Sequence, residues 1–238
     1  MSPQDVHFID PAALACGAQL LSSGQAQACL LATADLDPAQ FEAWLTLLDE
    51  HERQHAARFH QPRHRQDYIA AHALTRLLLS ACCGAPAESL QFHRPPDEKP
   101  RLLGADAVLR FSLSHTDGMV ACAVAHGQDI GLDVEAMIEA DDVLDTAQAA
   151  CTSAELALIE AAAPDARSSL FLRLWTLKEA FLKATGEGLS RPLDSFSVQF
   201  DPLAVILVGD HRPLTGWDFA QIFPSPRHIL AVATRCAE

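Results

Sequence analysis

Leu109-Arg-Phe-Ser-Leu-Ser-His-Thr-Asp-Gly-Met-Val-Ala-Cys-Ala-Val-Ala-His-Gly-Gln-Asp-Ile-Gly-Leu-Asp-Val-Glu135 reads as three β-strands joined by two tight turns. In the first strand Leu109, Phe111 and Leu113 take one face, and Arg110, Ser112 and Ser114 the other. Thr116-Asp117-Gly118 makes the turn into Met119–Ala125, a mostly apolar strand. Ile130–Glu135 alternates again, with Ile130, Leu132 and Val134 opposite Gly131, Asp133 and Glu135. Positions i and i+2 of a strand share a face, so the carboxylates of Asp133 and Glu135 project together.

Helical signals flank these strands. Asp37-Pro38 is an N-cap followed by proline at the first helical position, and Phe41, Trp44, Leu45 and Leu48 follow at helical spacing. A basic segment continues as helix and is interrupted near Pro62; Ile69–Cys83 reads as a second helix, stopped by Gly84 and Pro86. Residues 92–106, rich in proline and glycine, read as loop. Downstream, Thr152 and Glu155 form a capping box ahead of a helix at 155–162, and residues 168–184 form a longer helix ending near Gly186. The last 50 residues look like β-structure, at Phe196–Phe200, Val205–Val208, Trp217–Phe223 and Ile229–Thr234. Helices, strands, helices and strands in that order suggest an α+β fold of two units in series, and the short likeness of 119–126 to 228–235 hints weakly at duplication. Residues 1–49 carry no readable motif.

The 238 residues are 49% hydrophobic and 20% charged, enough for a core and too little charge for a disordered chain. No apolar run reaches membrane-spanning length and the N-terminus has no secretory pattern. Seven cysteines, an odd number with no CxxC pair, fit a reducing, cytoplasmic setting. A formal charge of −14 disfavours nucleic acid and anionic membranes as partners. The charge is uneven, however. Residues 51–76 hold Arg53, Arg58, Arg63, Arg65 and Arg76 against only Glu52 and Asp67, together with five of the 11 histidines. Such an island suits a small polyanionic ligand, although a solvated helix face has the same composition.

Three pieces carry chemistry. Asp133 and Glu135, if close, repel unless a cation compensates, and oxygen-only donors favour Mg²⁺ or Mn²⁺ over Zn²⁺. An exposed edge strand would show the same pattern. Glu179 and Lys183 are i,i+4 helix neighbours, a spacing that also describes a surface pair worth only about 0.3–0.5 kcal/mol. The chain has just three lysines, Lys99, Lys178 and Lys183, and two of them flank Glu179, as a site needing a compact ammonium for phosphate would arrange. Ser114 and His115, at a strand end, offer donors to an anion; with Asp117 they are too close in sequence to form a triad, and no GxSxG elbow occurs. His51-Glu-Arg-Gln-His55 matches the HExxH zinc pattern but lies in a highly charged stretch and lacks the extended form. Gly186-Glu-Gly188 is a helix end rather than a phosphate loop, and no Walker motif is present.

Phe111-Ser-Leu-Ser-His-Thr116, Ile130-Gly-Leu-Asp-Val-Glu135 and Trp175-Thr-Leu-Lys-Glu-Ala-Phe-Leu-Lys183 resemble, in order and spacing, the three signature motifs of Sfp-type 4'-phosphopantetheinyl transferases. Arg58-Phe59, Leu74-Thr-Arg76, Glu98-Lys-Pro100 and Pro192-Leu-Asp-Ser-Phe196 support the likeness, which spans roughly residues 50–200. It implies a fold of two similar halves, 1–127 and 128–238, joined near Gly127, with coenzyme A in the cleft between them. It also implies transfer of the phosphopantetheine arm to a serine of an acyl or peptidyl carrier protein, with release of adenosine 3',5'-bisphosphate; a cleft built within one chain suggests a monomer.

The resemblance assigns roles residue by residue. Asp133, Glu135 and Glu179 would hold Mg²⁺, with Mn²⁺ as a substitute, and Glu179 is the candidate base for the carrier serine. Lys183, assisted by His115, would stabilise the diphosphate, with Lys178 as a second contact. Lys99, Ser114, Arg53 and His55 would take the 3'-phosphate. The chain departs from the pattern at Glu98, where glycine is commoner, at His72, where many relatives carry arginine, and at Glu52 and His55, where some carry lysine. Two other readings compete: a zinc hydrolase using His51 and His55, and a non-catalytic module that binds coenzyme A or a carrier.

Overall fold

A computed structural model describes residues 6–236 except 17–20, 23, 35, 97, 105, 138–142 and 211. The first half runs β1 (Val6–Ile9), a 3₁₀ turn (Pro11–Cys16), β2 (Ala26–Ala32), α1 (Pro38–Leu45), α2 (Glu50–Ala56), α3 (Pro62–Cys83), β3 (Phe92–His93), β4 (Arg101–Leu102), β5 (Leu109–Thr116) and β6 (Met119–His126). The second runs β7 (Ile130–Ala136), α4 (Val143–Ala150), α5 (Ser153–Ala161), α6 (Pro164–Thr185), β8 (Phe196–Phe200), β9 (Leu203–Leu207), β10 (Trp217–Ser225) and β11 (His228–Arg235).

The halves repeat one plan, as the fold-class expectation holds. From β2 and from β7 onward, each gives a strand, three helices, a short two-stranded ribbon and a closing hairpin. The three strands β2-β6-β5 match β7-β11-β10 in antiparallel order; β1 adds a parallel edge to the first sheet. Helices α3 and α6 are each 22 residues long, start at a proline and stop at a left-handed glycine, Gly84 (φ 77°) and Gly186 (φ 75°). Each follows a shorter helix with a capping box, Asp49/Glu52 and Thr152/Glu155. In both boxes the glutamate is buried and meets a cation from the long helix. Arg76 Nε donates to Glu52 Oε2 at 2.7 Å, and Lys178 Nζ to Glu155 Oε2 at 2.6 Å.

Packing is layered. Helix α3 covers the outer face of the first sheet through Leu74 and Leu78 against Cys29, Val120 and Val124. Helix α6 covers the second through Ala180, Phe181 and Ala184 against Ala231 and Ala233. Between the sheets, Ala26, Ala28, Ala121, Ala123 and Ala125 of β2 and β6 receive Ile130, Leu132 and Val134 of β7 and Leu230 and Val232 of β11. Small side chains facing branched ones let the inner faces close together.

Helix α3 begins at Pro62 rather than near Ile69; its first turns are basic and polar, so no apolar periodicity marks them in the sequence. The stretch 92–106, expected as loop, contains the β3–β4 pair. Strands β1 and β2 and helix α4 lie where sequence reading placed no element. Cysteines 29, 82, 83, 122, 151 and 236 are free; the Cys16 side chain is outside the described part.

Candidate active site

A glycine sets the distance between strand and helix. Gly131 points at α6, where a Cβ would overlap the carbonyl oxygen of Ala180 and the amide nitrogen of Ala184. Without a side chain there, α6 lies directly on β7, on the face that also carries Asp133 and Glu135. Trp175, Glu179 and Lys183, at i, i+4 and i+8, form the stripe of α6 that meets this face.

Asp133 is almost fully buried. Its Oδ1 accepts hydrogen bonds from Lys183 Nζ (2.7 Å) and Ser114 Oγ (2.9 Å), while its Oδ2 is buried with no partner. Glu135 accepts from Trp175 Nε1 (3.3 Å) and Thr116 Oγ1 (3.4 Å). Burial first, and then the charge of Asp133, pushes the Glu135 carboxyl up to about 7. Burial and Asp133 also raise Glu179, with Lys183 opposing. Glu135 and Glu179 both sense the charge of Asp133, so the three carboxylates share one electrostatic site.

Among the described residues, no three His, Cys, Asp or Glu side chains form a ready-made metal cage. The donor set nonetheless fits a hard divalent ion. It is all oxygen, it includes the orphaned Asp133 Oδ2, and two of its carboxyls, Glu135 and Glu179, are raised by burial and by the charge of Asp133. A cation there would satisfy the orphan and relieve the repulsion.

A cavity of about 400 Å³ opens between the halves beside this cluster. His72, Lys99, Phe111 and Leu113 line it from the first half, and Leu182 and Lys183 from the second. A second cavity of about 170 Å³ shares Lys99, Pro100 and Phe111 with it. Lys99 reaches across the halves, donating to the carbonyls of Ile130 (2.5 Å) and Lys183 (3.1 Å). Burial lowers its pKa to about 7; Asp129 opposes this, and Lys183 and Arg110 add to it. The His115 ring keeps an exposed edge, but the protein packed around it strips enough solvent to lower its pKa, against the pull of Asp67.

The structure gives several of the expected contact residues partners within the protein. Lys178 does not face the cleft: its Nζ is buried among the carbonyls of Ala150 (3.1 Å), Leu193 (2.8 Å) and Phe196 (2.9 Å) as well as Glu155. All its donors are consumed inside the second half, so it is a structural cation. Ser114, expected at the 3'-phosphate, is buried with its hydroxyl between Asp133 and Lys183. Arg53 turns back onto the Leu48 carbonyl and Glu50. His55 stacks on Tyr68 at 4.9 Å, and burial, Arg58 and the neighbouring histidines lower its pKa. Neither Arg53 nor His55 is among the residues that line the larger cavity.

The zinc reading loses its base as well. Glu52, the glutamate of the HExxH pattern, is buried and bound by Arg76, Arg94 and His72. Sequence reasoning missed Trp175 and Thr116 as partners of Glu135, although the Trp175–Glu179–Lys183 spacing could have revealed the first.

Comparison with known proteins agrees with this architecture. A model described as "4'-phosphopantetheinyl transferase, N-terminal" matches residues 36–127, and one for the "4'-phosphopantetheinyl transferase superfamily" matches 129–233. The 4'-phosphopantetheinyl transferase HetI of Nostoc sp. is 28% identical over 202 residues, covering 84% of this chain and 83% of the relative. The 4'-phosphopantetheinyl transferase Sfp of Bacillus subtilis is 27% identical over 181 residues, or 75% and 79%. An L-aminoadipate-semialdehyde dehydrogenase-phosphopantetheinyl transferase of Eremothecium gossypii is 32% identical over 195 residues, or 79% and 70%. With matching models on both halves and a relative 32% identical over most of both chains, the chain belongs to the Sfp-type 4'-phosphopantetheinyl transferase family.

Proposed function

We propose that this enzyme moves the phosphopantetheine arm of coenzyme A to the serine hydroxyl of an acyl or peptidyl carrier protein. The observation that carries this reading is the buried Asp133, with one oxygen held by Lys183 and Ser114, the other buried without a partner, and its charge felt by both Glu135 and Glu179. Asp133, Glu135 and Glu179 would hold Mg²⁺, which when bound neutralises charge on the diphosphate.

The remaining chemistry belongs to the chain. The cavity between residues 1–127 and 128–238, walled by Phe111, Leu113 and Leu182, takes coenzyme A. The Lys183 ammonium stands at its edge and meets the diphosphate, with His115 nearby. The carrier serine oxygen bonds to the phosphorus of the pantetheine phosphate, and the diphosphate bridge breaks on the other side. Adenosine 3',5'-bisphosphate leaves with the bond electrons. The serine proton passes to Glu179, directly or through a water, because Glu179 is the candidate base within the carboxylate group. The enzyme is proposed to work as a cytoplasmic monomer, since one chain supplies both walls of the cleft. No helix among the described residues is long and apolar enough to cross a membrane.

Incubating apo-carrier proteins with the enzyme, coenzyme A and Mg²⁺ tests this reading by mass spectrometry. A carrier should gain the mass of the phosphopantetheine arm, and Glu179→Gln should abolish the gain while the variant stays folded. Full activity of Glu179→Gln would remove Glu179 from the site.

A further inference from the structure

The two sheets meet along β5 and β7, and hydroxyl groups join them. Three alternate residues of β5 aim at β7. Ser112 Oγ accepts from the backbone N–H of Leu132 at 3.0 Å. Ser114 Oγ donates to Asp133 Oδ1 at 2.9 Å. Thr116 Oγ1 accepts from the N–H of Ala136 at 3.2 Å and donates to Glu135 Oε2 at 3.4 Å. Strand β7 pairs with β11 on its other side, so these N–H groups face the neighbouring half. Ser112 and Ser114 are buried, although strand alternation alone would have left this face polar and open.

The two bonds to carboxylates have a directional effect. Ser114, together with Lys183, occupies Asp133 Oδ1 and leaves Oδ2 unpartnered. Thr116 holds Glu135 Oε2 while its other contact pins the backbone one residue further on. The first half thus orients carboxylates that belong to the second.

We propose that Ser114 and Thr116 are positioning residues that aim Asp133 and Glu135 at a divalent cation, so that the metal centre is complete only when the two halves are docked. This rests on the metal reading given under Proposed function. Partners that orient metal ligands typically contribute a 10- to 100-fold effect on affinity.

The test is direct binding of Mn²⁺ alone to the full chain, followed by electron paramagnetic resonance of the free ion, with thermal unfolding of the metal-free protein recorded in parallel. Ser114→Ala combined with Thr116→Val should weaken Mn²⁺ at least about tenfold with little change in metal-free unfolding. Thr116→Ser, which keeps the hydroxyl, should bind as the unmodified chain does. If the double variant does not fold, the near-isosteric Thr116→Val alone carries the comparison with Thr116→Ser. No Mn²⁺ binding by the unmodified chain overturns the metal reading itself. Binding by the unmodified chain and by the hydroxyl-free variants with equal affinity overturns the positioning role alone.

Discussion

Gly131→Ala adds one methyl group at the closest approach of β7 and α6. The new Cβ would overlap backbone atoms of Ala180 and Ala184 and stand 3.0 Å from the carbonyl carbon of Ala180. Its neighbours are backbone, so no side chain can rotate out of the way. To restore ordinary contact, α6 must withdraw by about 1–2 Å. Overpacking of this kind costs about 1–3 kcal/mol. For a chain of this size that lowers Tm by about 2–4 °C per kcal/mol, so a fall of up to about 10 °C is expected. The functional loss should be larger. Glu179 and Lys183 directly precede Ala180 and Ala184, and an ångström of misplacement at a reacting centre costs about 100-fold. Thermal denaturation and the initial rate of carrier modification measure the two effects. The close approach of Gly131 to α6 is the whole basis of this reasoning, and a Gly131→Ala variant with unchanged Tm and unchanged kcat/KM would refute it.

Two further predictions concern the repeated buried ion pairs. Burial alone would raise Glu52, but hydrogen bonds and charge from His72 and Arg76 outweigh it and hold the carboxyl at about 2. A depressed carboxyl contributes stability that is fully present above its unfolded pKa, near 4.5, and is lost as pH falls through 2. That contribution is about 3 kcal/mol. Glu52→Gln should therefore be less stable at neutral pH and lose less between pH 5 and 2 than the unmodified protein does; unfolding midpoints that fall as steeply as those of the unmodified protein would contradict the assignment. Lys178→Met leaves Glu155 charged and unpaired in the core, a loss of about 3–5 kcal/mol that Lys178→Arg should partly restore. Unchanged Tm with only a raised KM for coenzyme A would instead return Lys178 to the cleft.

The elements legible in the sequence were those with local signals. The Asp37-Pro38 start, the Thr152/Glu155 box and the Gly186 stop each need only a few adjacent residues, and each stands where it was read. Strand β5 and strand β7 alternate, so they were read as well. Strand β2 was not: Ala26–Cys29 is buried residue after residue between two neighbours and two faces, which erases alternation. The opening of α3 was hidden by the very charges that marked the basic segment.

Chain order and spacing by themselves determined the fold class, the family resemblance and the identity of the carboxylates and lysines, because strand and helix periods assign residues to faces. Only the folded arrangement decided which of those charges are free for chemistry. Lys178 and Lys183 lie on one helix, yet one is enclosed by carbonyls and Glu155 while the other stands at the cavity edge. Ser114 likewise looks open in the strand pattern and is closed by a second sheet. The reason is physical: a hydrogen bond between residues 19 or 23 positions apart depends on how whole elements dock, and local periodicity carries no information about docking.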